Sequence, residues 1–352
     1  MEDNNKTNIV DAAAVFKGLK IAISLSLLFS AILILMTLDK AAFIKAVDSI
    51  NIITILKVII LILINFIAAG LKFKIMVSAT GNYISLYTGV KLYLAGAFIS
   101  NVTPMATGGG PFQIYFLHKR GINLGQGTMV ILTQFILRIF FFTTGSLVFF
   151  VFFKDYISPG ILPGYLFYIA FGVGFLITIS LIIFSIVPGI SEALINLLFK
   201  INFIRKFVTK HYKIKKLIAK GRLELREFHQ SMELLIEHKM KVFWTAVSTI
   251  IYWTAIFMII PVILMGMGYE PYFFKAYVMQ TIFNLIIPYM PTPGASGIAE
   301  VGFASIFISF IPRGIIGIVT FMWRFATFYL ILVIGGFYAI RELGWKRRKT
   351  DV

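Results

Sequence analysis

Long apolar runs dominate the chain, and polar residues gather in short stretches between them. Runs long enough to cross a hydrocarbon core of about 30 Å occupy about 18–38, 51–71, 125–153, 161–187, 241–266 and 314–340. Two further apolar stretches, about 87–118 and 272–310, are each interrupted by proline and glycine. The first interruption reads TPMATGGGPF from Thr103 to Phe112, and the second contains YMPTPGASGIAE. Proline lacks a backbone donor and glycine weakens a helix, so both stretches should break there. Broken backbone at bilayer depth persists only where protein or a water-filled cavity satisfies its polar groups.

Basic residues then set the topology. Lys17 and Lys20, Lys72 and Lys74, Lys119 and Arg120, the cluster over 200–241 and the tail RELGWKRRK should face the cytoplasm. The connections near 39–50, 154–160 and 267–271 carry balanced charge and suit the other side. Threading the runs under these constraints makes 87–118 and 272–310 re-entrant hairpins. The expected fold is an all-α polytopic membrane protein of two inverted-topology repeats, each of three transmembrane helices and one re-entrant helical hairpin. Residues 1–160 form the first repeat, 161–342 the second, and 343–352 a tail, with both termini cytoplasmic in a cell membrane. Inside the second repeat lies a basic insertion over 188–240. Leu194, Leu197, Leu198 and Ile201 make its opening amphipathic, as in an interfacial helix. Its second half reads equally as a cytoplasmic helix or a solvated linker.

The two halves carry related residues. Pro104 and Pro291, Gly110 and Gly297, and Gln113 and Glu300 share one offset, and Arg138 and Arg324 match it to within one residue.

Composition narrows the class. The chain has 352 residues, of which 59% are hydrophobic, too many for a soluble domain of this size. It has no cysteine, and none of His118, His211, His229 and His238 lies within an apolar run, so no metal or other cofactor is expected. The net charge of +18 flanks hydrophobic spans, which indicates anionic lipid headgroups at the cytoplasmic face and no nucleic acid as partner. A homodimer is left open. The first apolar run lacks a small-residue cleavage pattern and reads as a retained helix.

Candidate chemistry centres on the buried charges. Arg138 and Arg324 stand near the middle of apolar helices, where a charge costs roughly 2.5 kcal/mol or more. Either they bind backbone carbonyls freed at the breaks, or their guanidinium groups face a cavity and grip phosphate. Thr107, Gly108, Gly109 and Gly110 in the first break, and Pro293, Gly294, Ser296 and Gly297 in the second, precede short helices whose N-termini offer free N–H groups. A tight turn that merely reverses the chain would use the same residues. Glu300 could satisfy such N–H groups, pair with an arginine or take up a proton, and Gln113 is its neutral counterpart. Asn65, Gln134, Gln280 and Asn284 are further buried polar candidates.

The segments PTPGASGIAE and WRFATFYL, with the earlier glycine-rich turn, resemble the lysylphosphatidylglycerol synthase transmembrane-region family, which includes the flippase half of MprF proteins. The resemblance spans about residues 15–342. It implies movement of a phospholipid between leaflets, with Pro293, Gly294, Gly297, Glu300 and Arg324 at the site, and an association with resistance to cationic antimicrobial peptides. In MprF proteins the lipid is aminoacylated phosphatidylglycerol, made by a separate transferase domain. No such domain is expected within these 352 residues, so lysyl transfer is not expected. Two alternatives remain open: a membrane-embedded lipid transferase, and a lipid-binding partner of a cytoplasmic enzyme.

Overall fold

The computed structural model describes residues 12–153, 156, 164–190, 193, 197 and 212–344. All regular structure among them is helical. Five helical segments are long and apolar enough to cross a membrane: Ala13–Thr37, Ile52–Ala79, Leu124–Phe152, Lys239–Gly266 and Arg313–Leu343. They coincide with five of the six expected runs. The sixth run carries a helix over Gly164–Ile186.

We number the helices in chain order. α1 (Ala12–Thr37), α2 (Lys40–Ser49) and α3 (Ile52–Ala79) come first. α3 starts where Asn51 Oδ1 accepts a hydrogen bond of 3.0 Å from the Thr54 N–H, which satisfies a donor that the first turn leaves free. α4 (Leu86–Val102) is capped likewise by Ser85 Oγ, 3.1 Å from the Thr88 nitrogen. A short turn then leads to α5 (Gly109–His118), α6 (Leu124–Phe152) and α7 (Gly164–Ile186). The later helices are α8 (Tyr212–Glu237), α9 (Lys239–Phe257), α10 (Ile259–Gly266), α11 (Phe273–Ile286) and α12 (Ile298–Phe307). α13 (Ile316–Arg324) runs through one π-turn (Phe325–Tyr329) into α14 (Leu330–Leu343).

α4 is the hub, packed against α1, α3, α5 and α14. Small residues allow this, as is usual where lipid provides no hydrophobic drive between helices. Gly89 of α4 abuts the Gly70 backbone of α3, and Gly335 of α14 abuts the Leu94 carbonyl. Fully buried Leu92, Phe98 and Ile99 fill the remaining space.

Both interrupted stretches reverse the chain. α5 folds back along α4, so that Gly96 faces Gln113 and Gly109 faces Ser100. α12 folds back along α11, with Gly302 against the Phe283 ring. Each reversal contains a 3-10 turn, Pro104–Ala106 and Pro293–Ala295, the second preceded by another at Ile287–Tyr289, and the first two touch. Their backbones match: Met105 has φ 53° and ψ 22°, Gly294 has φ 61° and ψ 17°. Ala106 and Ala295 follow at φ 55° and 52°. Left-handed backbone costs an L residue about 1–2 kcal/mol, so Met105, Ala106 and Ala295 hold their conformation against a local preference.

This backbone match sets a register different from the one expected. Pro104 pairs with Pro293 and Gly108 with Gly297, so the sequence match is T-P-x-A-[TS]-G, at Thr103 and again at Thr292. Glu300 then corresponds to Pro111, and Gln113 is not its counterpart.

The basic insertion also differs from a solvated linker. Within α8, Phe228, Met232 and Leu235 are buried, and the helix packs on α6. The His229 ring is buried too, with Nδ1 2.8 Å from the Leu225 carbonyl and Nε2 3.3 Å from that of Phe184. Leu194, Leu198 and Ile201, expected in an interfacial helix, lie outside the described residues.

Candidate functional site

Two arginine environments lie near the touching turns. In the first, Arg324 at the end of α13 meets Glu300 in the first turn of α12, with Nε 2.8 Å from Oε1. The contact is ionic rather than an aligned hydrogen bond. Glu300 is wholly buried and Arg324 is 5% exposed, so each charge depends on the other. Glu300 Oε1 also accepts from the Ser26 hydroxyl, and Oε2 accepts from the Gly297 N–H at 2.7 Å. Ser26 Oγ lies 2.8 Å from the Tyr329 hydroxyl. Arg324 donates in turn to the Gly294 carbonyl at 3.3 Å, and its guanidinium carbon stands 4.7 Å from the Phe328 ring centroid. The result is a carboxylate with every oxygen engaged, clamping the second turn onto α1 and α13. Gly297 makes this possible: its φ is +86°, and a Cβ there would lie 2.8 Å from the Phe29 ring.

The second environment is open. Arg138 sits at the midpoint of α6, half-buried, and among the described residues no carboxylate lies within ion-pair distance of it. It lines two adjoining chambers of about 530 and 330 Å3. The larger is walled also by Lys72, Thr107, Gly110 and Gln134. The smaller is walled also by Gly294, Thr292, Gln280 and Arg324. Tyr93, Gln113, Tyr252, Trp253 and Asn284 belong to both. Neither wall contains an aspartate, glutamate or histidine.

Residues 19–335 match the profile described as the lysylphosphatidylglycerol synthase TM region. The chain belongs to this family. A UPF0104 membrane protein of Archaeoglobus fulgidus is 29% identical to it over 273 residues, which cover 76% of this chain and 79% of the relative. No solved structure matches it.

In this member of the lysylphosphatidylglycerol synthase TM region family, the expected residues divide into two groups. Arg138, Gln113, Thr107, Gly110, Gly294 and Arg324 reach the chambers. Pro293, Ser296, Gly297 and Glu300 are absent from the walls; Pro293, Ser296 and Glu300 are buried behind the second turn. Gly108 and Gly109 pack on α4 against Thr103 and Ser100. Of the polar candidates, Gln280 and Asn284 also bond within the helices: Gln280 Nε2 donates to the Phe257 carbonyl at 2.8 Å and Asn284 Nδ2 to that of Gln280 at 2.9 Å. Asn65 Nδ2 donates to the Tyr252 carbonyl at 3.1 Å.

Three wall residues escape a reading of the sequence. Lys72 resembles a flanking topological lysine, yet it lines the larger chamber with Nζ 4.2 Å from the Tyr252 ring centroid. Tyr93 and Tyr252, 3.0 Å apart through their hydroxyls, are two of many aromatic residues in apolar helices. In the sequence Lys72 directly follows the apolar run 51–71; only the structure extends α3 seven residues past it.

Proposed function

We propose that this chain moves a phosphate-bearing lipid between the leaflets of a cell membrane. The headgroup occupies the chambers beneath the paired turns while the acyl chains stay in lipid. The observation that carries this reading is Arg138, a half-buried cation facing a cavity whose walls include several polar side chains and no acid. A guanidinium in that position is set up for bidentate contact with phosphate. Thr107, Gly110 and Gln113 from the first turn and hairpin supply further polar contacts.

Residues 1–160 and 161–342 act in this reading as two halves of opposite orientation, with termini and basic segments on the cytoplasmic side. The matched turns meet where such halves would move against each other, giving alternating exposure. A lipid transferase would want a general base beside the phosphate; Glu300 is engaged by Arg324, Ser26 and Gly297 and does not reach the walls.

The test is leaflet exchange in liposomes. The chain is reconstituted with fluorescent phospholipids, and dithionite reports how much label crosses. Wild type should give protein-dependent exchange and Arg138→Ala should lose it. Equal exchange by folded Arg138→Ala would remove the proposal's central residue.

A further inference from the structure

The chamber walls carry basic side chains and no acid. Lys72 and Arg138 place two cations on one cavity, from α3 and α6. Neither has a carboxylate within ion-pair distance among the described residues. Trp253 lines both chambers, and its buried Nε1 has no acceptor. An indole nitrogen is a donor only, so it needs an acceptor from elsewhere. Gln134, one helical turn from Arg138 and on the same face, lines the larger chamber with its Nε2 also unpaired. Buried donors without acceptors are rare in native proteins, and each asks for a missing partner. The acid that could have served, Glu300, is consumed by Arg324 and the second turn.

We infer that the cavity selects a phosphate headgroup of net negative charge and disfavours aminoacylated, cationic headgroups, with Lys72 setting that preference. The inference rests on the transport reading and narrows it. A phosphodiester brings one negative charge and non-bridging oxygens that accept from Arg138, Trp253 and Gln134. A lysyl ester on the same headgroup would add ammonium groups beside Lys72 and Arg138, with no carboxylate in either wall to receive them. Like charges set together in a partly desolvated space work against binding. Lys72 is the adjustable member of the set. Its ammonium rests on the Tyr252 ring, at a distance suited to a cation–π contact, and a mobile stem lets it follow a ligand.

The experiment measures binding and exchange separately. Native mass spectrometry of the purified full chain in detergent would compare short-chain phosphatidylglycerol, phosphatidylcholine and lysyl-phosphatidylglycerol, with soluble glycerol 3-phosphate as a fourth probe. Wild type should hold the anionic lipid about tenfold tighter than the cationic one or better, and Lys72→Gln should lose roughly that factor, typical of a charge-assisted hydrogen bond. Lys72→Arg should restore the preference, and Lys72→Glu should invert it. Equal or tighter binding of the cationic lipid by wild type would overturn the inference. So would an unchanged ranking in folded Lys72→Gln and Lys72→Glu. Glycerol 3-phosphate binding as tightly as the anionic lipid would keep the anion preference and assign it to a soluble ester; weaker binding assigns it to lipid. Selective binding without leaflet exchange would remove the transport reading and leave the headgroup assignment standing. Exchange without headgroup preference would do the reverse.

Discussion

Arg138 and Arg324 are the same residue type, each deep in an apolar helix and each near a chain-reversing turn, yet the protein treats them oppositely. Arg324 is buried at 5% exposure against a fully buried glutamate. Arg138 is half-buried, faces two chambers and has no acid beside it. The difference teaches that two arginines in similar apolar settings need not share a task. One charge fixes a turn in place; the other is left for something that enters.

The comparison can be broken by substitution, beginning with the largest expected change. Glu300→Gln leaves Arg324 as an unneutralised buried cation, and breaking such a pair costs about 3–5 kcal/mol. Thermal unfolding in detergent should show a large loss, and combining it with Arg324→Met should recover part of it. Full stability in Glu300→Gln would mean that the pair does not hold the second turn. Gly297→Ala forces a methyl into a left-handed backbone and against Phe29, at about 2 kcal/mol; the same melting assay reads it. Tyr252→Phe removes the hydroxyl contact to Tyr93 and should cost about 1 kcal/mol. Arg138→Gln should change stability least, within about 1 kcal/mol, because it removes a charge with no partner to strand. Its whole effect should fall on lipid exchange. A melting loss as large as that of Glu300→Gln would place both arginines in the same structural class.

The architecture was readable because apolar run length is a strong signal, and the proline and glycine breaks announced both reversals. Buried arginines were readable because a charge in an apolar run has few explanations. What escaped was side-chain direction. Whether Glu300 would face Arg324, Arg138 or free N–H groups depended on α1, whose Ser26 completes its set from 274 residues away. The shared glycines and the acid–amide pair suggest one register for the two turns, whereas their backbones align on T-P-x-A-[TS]-G. In that match the threonine, alanine and hydroxyl positions carry as much information. The sequence suggests a topological role for Lys72, because lysines near span ends usually serve that purpose, and sequence spacing does not reveal which helix face borders a cavity.

The single π-turn over Phe325–Tyr329 directly after Arg324 acts as a phase shifter. A π-turn holds one residue more than an α-turn, and each residue of a helix advances the azimuth by about 100°. α13 and α14 therefore read their partners from two different angular origins along one rod. That offset lets Arg324 aim at Glu300 while Gly335 and Gly336 still meet Leu94 and Phe98. Deleting one residue from the segment would restore a uniform helix and rotate everything beyond it. Either the ion pair or the glycine seam would then have to be abandoned.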